Sequence, residues 1–328
     1  MAILVTGGAG YIGSHLVHAL SDLGEQAVVI DDLSAGFRKL LPPDIPLYVG
    51  NCRNPELVSN VLRKHAVSAI VHLAGSVLAS ESVANPSLYF ENNVDTTRAL
   101  IDVAIDHGVN QFVYSSTAAV YGQPSQIPVD ETAQTHPVSP YGQSKLDGEK
   151  LLQVAAVSHG LKSVILRIFN VAGADPRLRT GQSGPASSHL IRIAVQTAIG
   201  VRPEMEVYGI DYATRDGTCI RDYTHVSDIV RAYVEAVYYL RAGGEPLILN
   251  CGSGEGVSVY EVIQAVKRVS GSDFRLVQRP RRAGDPSLIV ASAERAGAVL
   301  GWHTQIGHLD EIVRHALAWE SKLKTQFL

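Results

Sequence analysis

The chain has 328 residues, 46% of them hydrophobic, and its 28 Lys and Arg against 32 Asp and Glu leave a formal net charge of -4. That much apolar mass can bury a sizeable core, which excludes a disordered or fibrous protein, and the balanced charge offers no one-sided basic surface for nucleic acid. Cys52, Cys219 and Cys251 are odd in number and form no CxxC pair, so neither a disulfide framework nor a thiolate zinc site is suggested, and a cytoplasmic location fits.

Residues 1–20 are apolar enough to imitate a secretory leader, but they lack a basic segment, and Gly7, Gly8, Gly10 and Gly13 interrupt any apolar helix. They read as folded structure. Residues 3–6 form an apolar run that meets the glycines, and Leu16, Val17, Leu20 and Leu23 then recur at helical spacing until Gly24. A second strand at 27–30 ends in Asp31 and Asp32, and further strands are predicted at 47–49, 69–73, 111–115 and 163–168, with helices near 55–65, 88–107 and 141–159. The strands are continuous apolar runs, the pattern of strands buried on both faces of a parallel sheet. An α/β fold follows, with a doubly wound parallel (Rossmann) sheet over residues 1–170.

From about Val171 the pattern loosens into a polar stretch at 173–188, then helices at 189–199, 225–241, 258–269 and 308–322. Residues 171–328 therefore read as a smaller α/β substrate domain, interleaved with the first because 247–251 resembles a strand returning to the large sheet. No stretch reaches the roughly 18 uncharged apolar residues of a membrane span; the best, 66–78, is shorter and carries His72. No membrane partner is expected.

Gly7, Gly10 and Gly13 lie between a predicted strand and a predicted helix. Glycines there let the backbone turn tightly and let a pyrophosphate approach the amide donors of a helix N-terminus. A bare glycine pattern is weak, but Asp31 ends the second strand about 20 residues on, where a carboxylate can accept from an adenosine ribose. Its charge would repel a 2'-phosphate, so NAD is expected over NADP.

Tyr141 and Lys145, four residues apart in SPYGQSK, share one face of a helix. A tyrosine is a poor base at neutral pH, and a neighbouring ammonium favours its phenolate. Alone the pair is a common accident; after a dinucleotide fold it reads as a catalytic pair. The strand through Ser115, Ser116 and Thr117 brings hydroxyls to the carboxyl edge of the sheet, and Thr117 is the natural third member.

TGGAGYIG at 6–13, LAG at 73–75, ENNV at 91–94, SSTAAVYG at 115–122, SPYGQSK at 139–145, RIFNVAGADP at 167–176, DGTCIRDYTHVSDI at 216–229 and PRRAGDP at 280–286 follow in order. With these motifs the chain resembles the UDP-glucose 4-epimerase (UDP-galactose 4-epimerase) family of extended short-chain dehydrogenases/reductases. The first five are shared across that superfamily; the last three resemble the epimerases in particular. The resemblance implies epimerisation at carbon 4 of a UDP-sugar, UDP-glucose and UDP-galactose with the N-acetylated pair a further candidate. It proceeds by transient hydride transfer to NAD through a 4-keto sugar. The Tyr141 phenolate would take the 4-hydroxyl proton, Thr117 would bond the same oxygen, and Lys145 would also hold the nicotinamide ribose.

By the same resemblance the cofactor would touch Gly7, Gly10, Tyr11, Ile12, Gly13, Asp31, Asp32, Asn51, Cys52, Leu73, Ala74, Gly75, Asn92 and Phe169 besides Tyr141 and Lys145. Asn170, Arg221 and Arg282 would hold the substrate diphosphate beside His189 and Leu190, Val207 and Tyr208 would contact uracil, and Asp285 the uridine ribose. Without the family match, Arg282 reads equally as a solvated cation in the basic run 279–282. The resemblance also implies a homodimer built from the helices at 88–107 and 141–159, and Val94, Leu100, Ile101, Val103, Ala104 and Ile105 cover more than one face of the first.

Four positions depart from the family pattern. Asn51 stands where an aspartate is usual near adenine, Val77 where some members carry a lysine, Thr117 where others have serine, and Ile289 where some place a tyrosine that narrows the sugar pocket. An open wall at Ile289 would admit an N-acetyl group. There are twelve histidines; His72 reads as a satisfied core residue, and no metal is expected. Two rivals remain. A nucleotide-sugar dehydratase or decarboxylase of the same superfamily is one, although dehydratases keep Asp-Glu after the threonine where this chain has Ala118 and Ala119. A non-catalytic dinucleotide-sensing protein is the other.

Overall fold

Short apolar runs alternate with amphipathic helices through the first half of the chain, and that alternation builds one sheet. The computed structural model describes residues 1–184, 189–282 and 284–326; residues 185–188 of the predicted polar stretch and Ala283 of PRRAGDP lie outside it. In chain order the strands are β1 (Ala2–Thr6), β2 (Ala27–Asp31), β3 (Leu47–Val49), β4 (Val67–His72), β5 (Gln111–Thr117), β6 (Lys162–Ile168), β7 (Asn170–Ala172), β8 (Met205–Tyr208), β9 (Ile220–His225), β10 (Leu247–Cys251), β11 (Gly256–Ser258), β12 (Leu276–Arg279) and β13 (Leu288–Ile289). The helices are α1 (Tyr11–Asp22), α2 (Pro55–Lys64), α3 (Ala79–Ala84), α4 (Pro86–Tyr89), α5 (Thr96–Asp106), α6 (Pro140–His159), α7 (Leu190–Ala198), α8 (Val226–Arg241), α9 (Val259–Ser270), α10 (Glu294–Leu300) and α11 (Leu309–Gln326).

Seven strands form the large sheet in the order β10-β6-β5-β4-β1-β2-β3, every pairing parallel. The fold is α/β with a doubly wound parallel sheet. Because parallel neighbours need crossovers, helices cover both faces. On one side Leu16, Val17 and Leu20 of α1 and Ile229, Val230 and Tyr233 of α8 enclose Ile3, Val5 and Val71. On the other, Val58 and Val61 of α2, Leu100 and Ala104 of α5 and Leu152 of α6 enclose Leu4, Ile70 and Phe112. Chain order reverses between β1 and β4, and the carboxyl ends of the strands open a crevice there.

The second half departs furthest from expectation. Its helices α7, α8, α9 and α11 occur where the spacing predicts them, but α10 was not expected, the strands β7, β9, β11 and β13 form a second sheet and β8 pairs with β12, none of which the sequence pattern exposed. These strands have two to six residues, and DGTCIRDYTH mixes charge with apolar positions, so no period-2 run stands out.

The single helix expected over 88–107 is broken. It comprises α4, a wide π-type turn at Phe90–Asp95, and α5. The turn brings Asn93 inward, where its side chain accepts from Ser76 N at 2.8 Å and donates to Ser144 Oγ at 2.9 Å. The apolar surplus expected on this helix is also corrected: Leu100, Ile101, Val103 and Ala104 are buried within the chain itself. The exposed apolar residues hereabouts are instead Leu88, Phe90, Val154 and Val157, the last 91% exposed.

α1 starts hard against the end of β1. A Cβ built on Gly13 would lie 2.2 Å from the Gly7 carbonyl oxygen and 2.7 Å from Gly8 Cα, so nothing but glycine lets that helix close on the loop. Gly13→Ala is expected to destabilise the fold by about 2 kcal/mol through overpacking, lowering the midpoint of thermal unfolding by several degrees. An unchanged midpoint would show that the loop and helix do not meet so closely.

Candidate active site

Ser139 caps α6, its hydroxyl accepting from Gly142 N at 3.2 Å, and Pro140 fills the first helical position, so Tyr141 falls in the first turn beside the end of β5. Burial pushes its phenol up, and a hydrogen bond with the Thr117 hydroxyl pulls it back down. One turn on, Lys145 is 3% exposed. Its Nζ donates to the Ser115 carbonyl at 3.0 Å and sits 5.0 Å from the centre of the Tyr114 ring. Burial lowers its ammonium to about 8, while the charge of Glu149 acts the other way. The structure thus brings Thr117, Tyr141 and Lys145 together, and it adds Glu149, which the sequence reading missed. The signal was present in the spacing: 141, 145 and 149 form one helical stripe.

At the other side of the crevice the glycine loop leaves the α1 N-terminus without a side-chain cap, so its amides face outward unspent. Gly7 adopts φ +70°, and a Cβ there would lie 2.7 Å from Ala74 N; backbone meets backbone across the crevice. Asp31 is 7% exposed, with one carboxylate oxygen accepting from Ala9 N at 2.9 Å and the other from Leu33 N at 2.8 Å. Both oxygens keep a free lone pair, so the group is fixed yet able to accept from a ribose. Asp32 Oδ1 accepts from the Ser34 main-chain N and hydroxyl, and the Asn51 side-chain oxygen accepts from Arg53 N. Asn92 donates to Ser76 Oγ, and Gly75 comes within 3.6 Å of Lys145 Nζ by its would-be Cβ. Tyr11 donates its hydroxyl to the Gly173 carbonyl, tying the loop to the strand region after β7. A glycine cradle that a Cβ would fill, bare helix amides and a pinned carboxylate together fit a dinucleotide.

A cavity of about 600 Å³ lies in the second half of the chain, with Val77 and Ala79 of the first half at its wall. Asn170, His189, Leu190, Tyr208, Arg221, Arg282 and Asp285 all line it. Arg221 is held by Asp285 at 3.1 Å, and Arg282 stacks its guanidinium 3.9 Å from the centre of the Tyr208 ring. Arg192 and Glu320 also line it as a buried pair, Nε donating to Oε1 at 2.5 Å; 128 residues separate them, so no local pattern exposed them.

Three expected contacts are corrected. Val207 is 1% exposed and packs into the core of the second half, because on β8 its side chain points away from those of Glu206 and Tyr208. Ile289 is closed into a cluster with Ala118, Val120, Tyr121 and Phe169, so it is not an open pocket wall. Cys52 is buried among Val28, Ile30 and Val58, and its thiol is pushed up to about 12. Any ligand contact at these positions is left to the main chain.

The model of the NAD dependent epimerase/dehydratase family matches residues 3–252. The UDP-glucose 4-epimerase of Azospirillum brasilense is 50% identical over 322 residues, covering 98% of this chain and 92% of that one. Among solved structures, the Brucella ovis UDP-glucose 4-epimerase in complex with NAD superposes with a TM-score of 0.94 at 39% identity over 97% of each chain. The Stenotrophomonas maltophila UDP-glucose-4-epimerase, with bound NAD and formylated UDP-arabinopyranose, gives a TM-score of 0.96 at 35% identity over 99% of each chain.

His15, His72 and His225 are buried. His72 is bonded to Thr6 Oγ1 at 2.7 Å and Thr97 Oγ1 at 3.1 Å. Burial lowers His72 and His225 to about 3 and His15 to about 4. All three lie below the unfolded value, so the unfolded chain binds more protons between the two limits. Their stabilisation is complete above about pH 6.5 and falls as pH drops, by about 1 kcal/mol per histidine one unit lower. The unfolding midpoint should therefore decline from pH 7 to 5.5, and less steeply in His72→Gln. A midpoint independent of pH over that window would contradict neutral burial.

Proposed function

The chain belongs to the NAD dependent epimerase/dehydratase family, and from that premise we propose that it interconverts UDP-glucose and UDP-galactose by epimerisation at carbon 4. The observation that carries this reading is the Thr117–Tyr141–Lys145 group at the carboxyl end of β5, together with a cavity in the second half of the chain whose walls carry Arg221 and Arg282. Asn170 connects the two, since it follows Ile168, the register partner of Thr117.

We assign the residues as follows. Gly7, Gly10 and Gly13 with the α1 amides take the cofactor pyrophosphate, and Asp31 takes the adenosine ribose. NAD, when bound, supplies a reversible hydride acceptor for carbon 4. Tyr141 removes the proton from the 4-hydroxyl, and Thr117 holds the same oxygen so that the sugar can be presented for transfer. The Lys145 ammonium favours the phenolate that burial opposes. Asn170, Arg221 and Arg282 hold the diphosphate, with His189 and Leu190 at the adjoining helix start, Tyr208 and the β8 main chain at uracil, and Asp285 at the uridine ribose. An anchored diphosphate lets the 4-keto sugar turn about its link and receive hydride on its other face. Ala118 and Ala119 after Thr117 supply no acid for eliminating a 6-hydroxyl, which disfavours a dehydratase.

In this reading residues 1–170 with the return strand at 247–251 hold the cofactor, and 171–328 hold the nucleotide-sugar. The protein works in the cytoplasm as a homodimer, joined through Leu88 and Phe90 on one side and Val154 and Val157 of α6 on the other, the apolar residues its own fold leaves uncovered. No helix among the described residues is long and apolar enough to cross a membrane.

Purified protein is expected to convert UDP-galactose to UDP-glucose, and Tyr141→Phe to lose activity by at least about 10²-fold while still binding NAD. A variant that keeps more than a few per cent of turnover would remove Tyr141 from the base role. Asp31→Ala should weaken NAD and narrow its preference over NADP, measured by titrating both; an unchanged preference would place the ribose carboxylate elsewhere.

A further inference from the structure

Lys145 is an ammonium in a place that disfavours charge. It is 3% exposed, and its hydrogen bond goes to a neutral carbonyl, that of Ser115. Tyr141 stands one turn before it on α6, and the groups facing it are Glu149 on its own helix, Tyr114 on β5, and His72 on β4, whose neutral ring feels the lysine charge; Tyr233 of α8 reaches Ser115 from behind. Glu149, one turn along α6, is the carboxylate among them, and it is itself 1% exposed.

A carboxylate so buried stays ionised only if it is held. Arg167 grips it with both arms, Nε to Oε1 at 3.0 Å and Nη2 to Oε2 at 2.7 Å, and Ser116 Oγ donates to Oε1. Ser116, Arg167 and Asn250 are register partners across β5, β6 and β10. Tyr121 closes the row: its hydroxyl accepts from Arg167 Nη1 at 2.9 Å and donates to Asn250 Oδ1 at 2.6 Å. Thus three adjacent strands present one polar row to α6, and that row meets Glu149 one turn from Lys145.

We propose that Glu149, fixed by Arg167 and Ser116, is a positioning residue that keeps Lys145 charged despite its burial, and through Lys145 keeps Tyr141 available as a base. The inference rests on the epimerase reading for the roles of Tyr141 and Lys145, but the electrostatics belong to the fold. Arg167 orients the carboxylate with two hydrogen bonds, and Glu149, one turn from the lysine, supplies the field. Neither residue lines the cavity.

The test uses the full chain with its cofactor. The pH dependence of kcat with UDP-galactose is measured for wild type, Glu149→Gln and Glu149→Asp. The alkaline limb, where Lys145 loses its proton, is expected about one unit lower in Glu149→Gln and near its original place in Glu149→Asp, with KM little changed. A second readout needs no sugar: the phenolate absorbance of Tyr141, taken against Tyr141→Phe, should appear at higher pH in Glu149→Gln. If Glu149→Gln does not fold, Glu149→Gln with Arg167→Met removes both charges at once and leaves no buried ion unpaired, and its limb and phenolate must shift in the same directions. Unmoved profiles in the folded variant overturn the inference. A wild type inert toward the sugar overturns the functional reading instead, and the phenolate titration then still decides this one.

Discussion

A lysine ammonium withdrawn from water is unstable unless something nearby prefers it charged, and Lys145 is the point to which the rest of this structure is organised. Its own helix supplies Glu149, the central strands supply Ser116 and Arg167, and the Ser115 carbonyl accepts its hydrogen bond. Each of these partners exists because two elements meet at a fixed register: a one-residue slip of β5 against β6 would separate Ser116 from Arg167 and put them on opposite faces. A sheet with helices on both faces is therefore needed for the chemistry as well as for stability. It is the framework that makes one buried positive charge tolerable beside Tyr141.

The same sheet sets the second requirement, a place for a dinucleotide within reach of that tyrosine. Chain order reverses between β1 and β4, and the loop after β1 approaches the backbone of Ala74 too closely for any side chain at Gly7. The bare amides of α1 and the pinned carboxylate of Asp31 lie on one side of the reversal, and Thr117 and Tyr141 lie on the other. The second half of the chain then contributes a cavity lined by Arg221, Arg282 and Asp285. Charge is thus paired at each end of the site, which suits a substrate whose diphosphate must be held while its sugar turns.

Much of this was legible in the sequence, and the limits have physical reasons. The strands of the large sheet are buried on both faces, so they stand out as apolar runs; Gly7, Gly10, Gly13 and Asp31 carry fixed spacings, and Tyr141 and Lys145 share one helix. The strands β7, β9, β11 and β13 did not stand out, because they are short and carry site residues such as Asn170 and Arg221 in place of an apolar pattern. The break at Phe90–Asp95 was hidden because ENNV continues a helical rhythm, and the reason for the break, Asn93 reaching Ser76 and Ser144, is tertiary. Partners distant in sequence, Arg167 with Glu149 and Arg192 with Glu320, are invisible to any local reading. Val207 and Ile289 show the opposite failure: a position matched to a motif does not say which way its side chain points.

The central claim is that hydride leaves carbon 4 and returns to the same carbon without exchanging with water. UDP-galactose deuterated at carbon 4, converted in ordinary water and analysed by mass spectrometry and proton NMR, tests it most directly. Retention of the deuterium at carbon 4 of the UDP-glucose formed is the predicted result. Its replacement by protium from solvent would contradict the account, since carbon 4 would then have been deprotonated rather than oxidised and reduced.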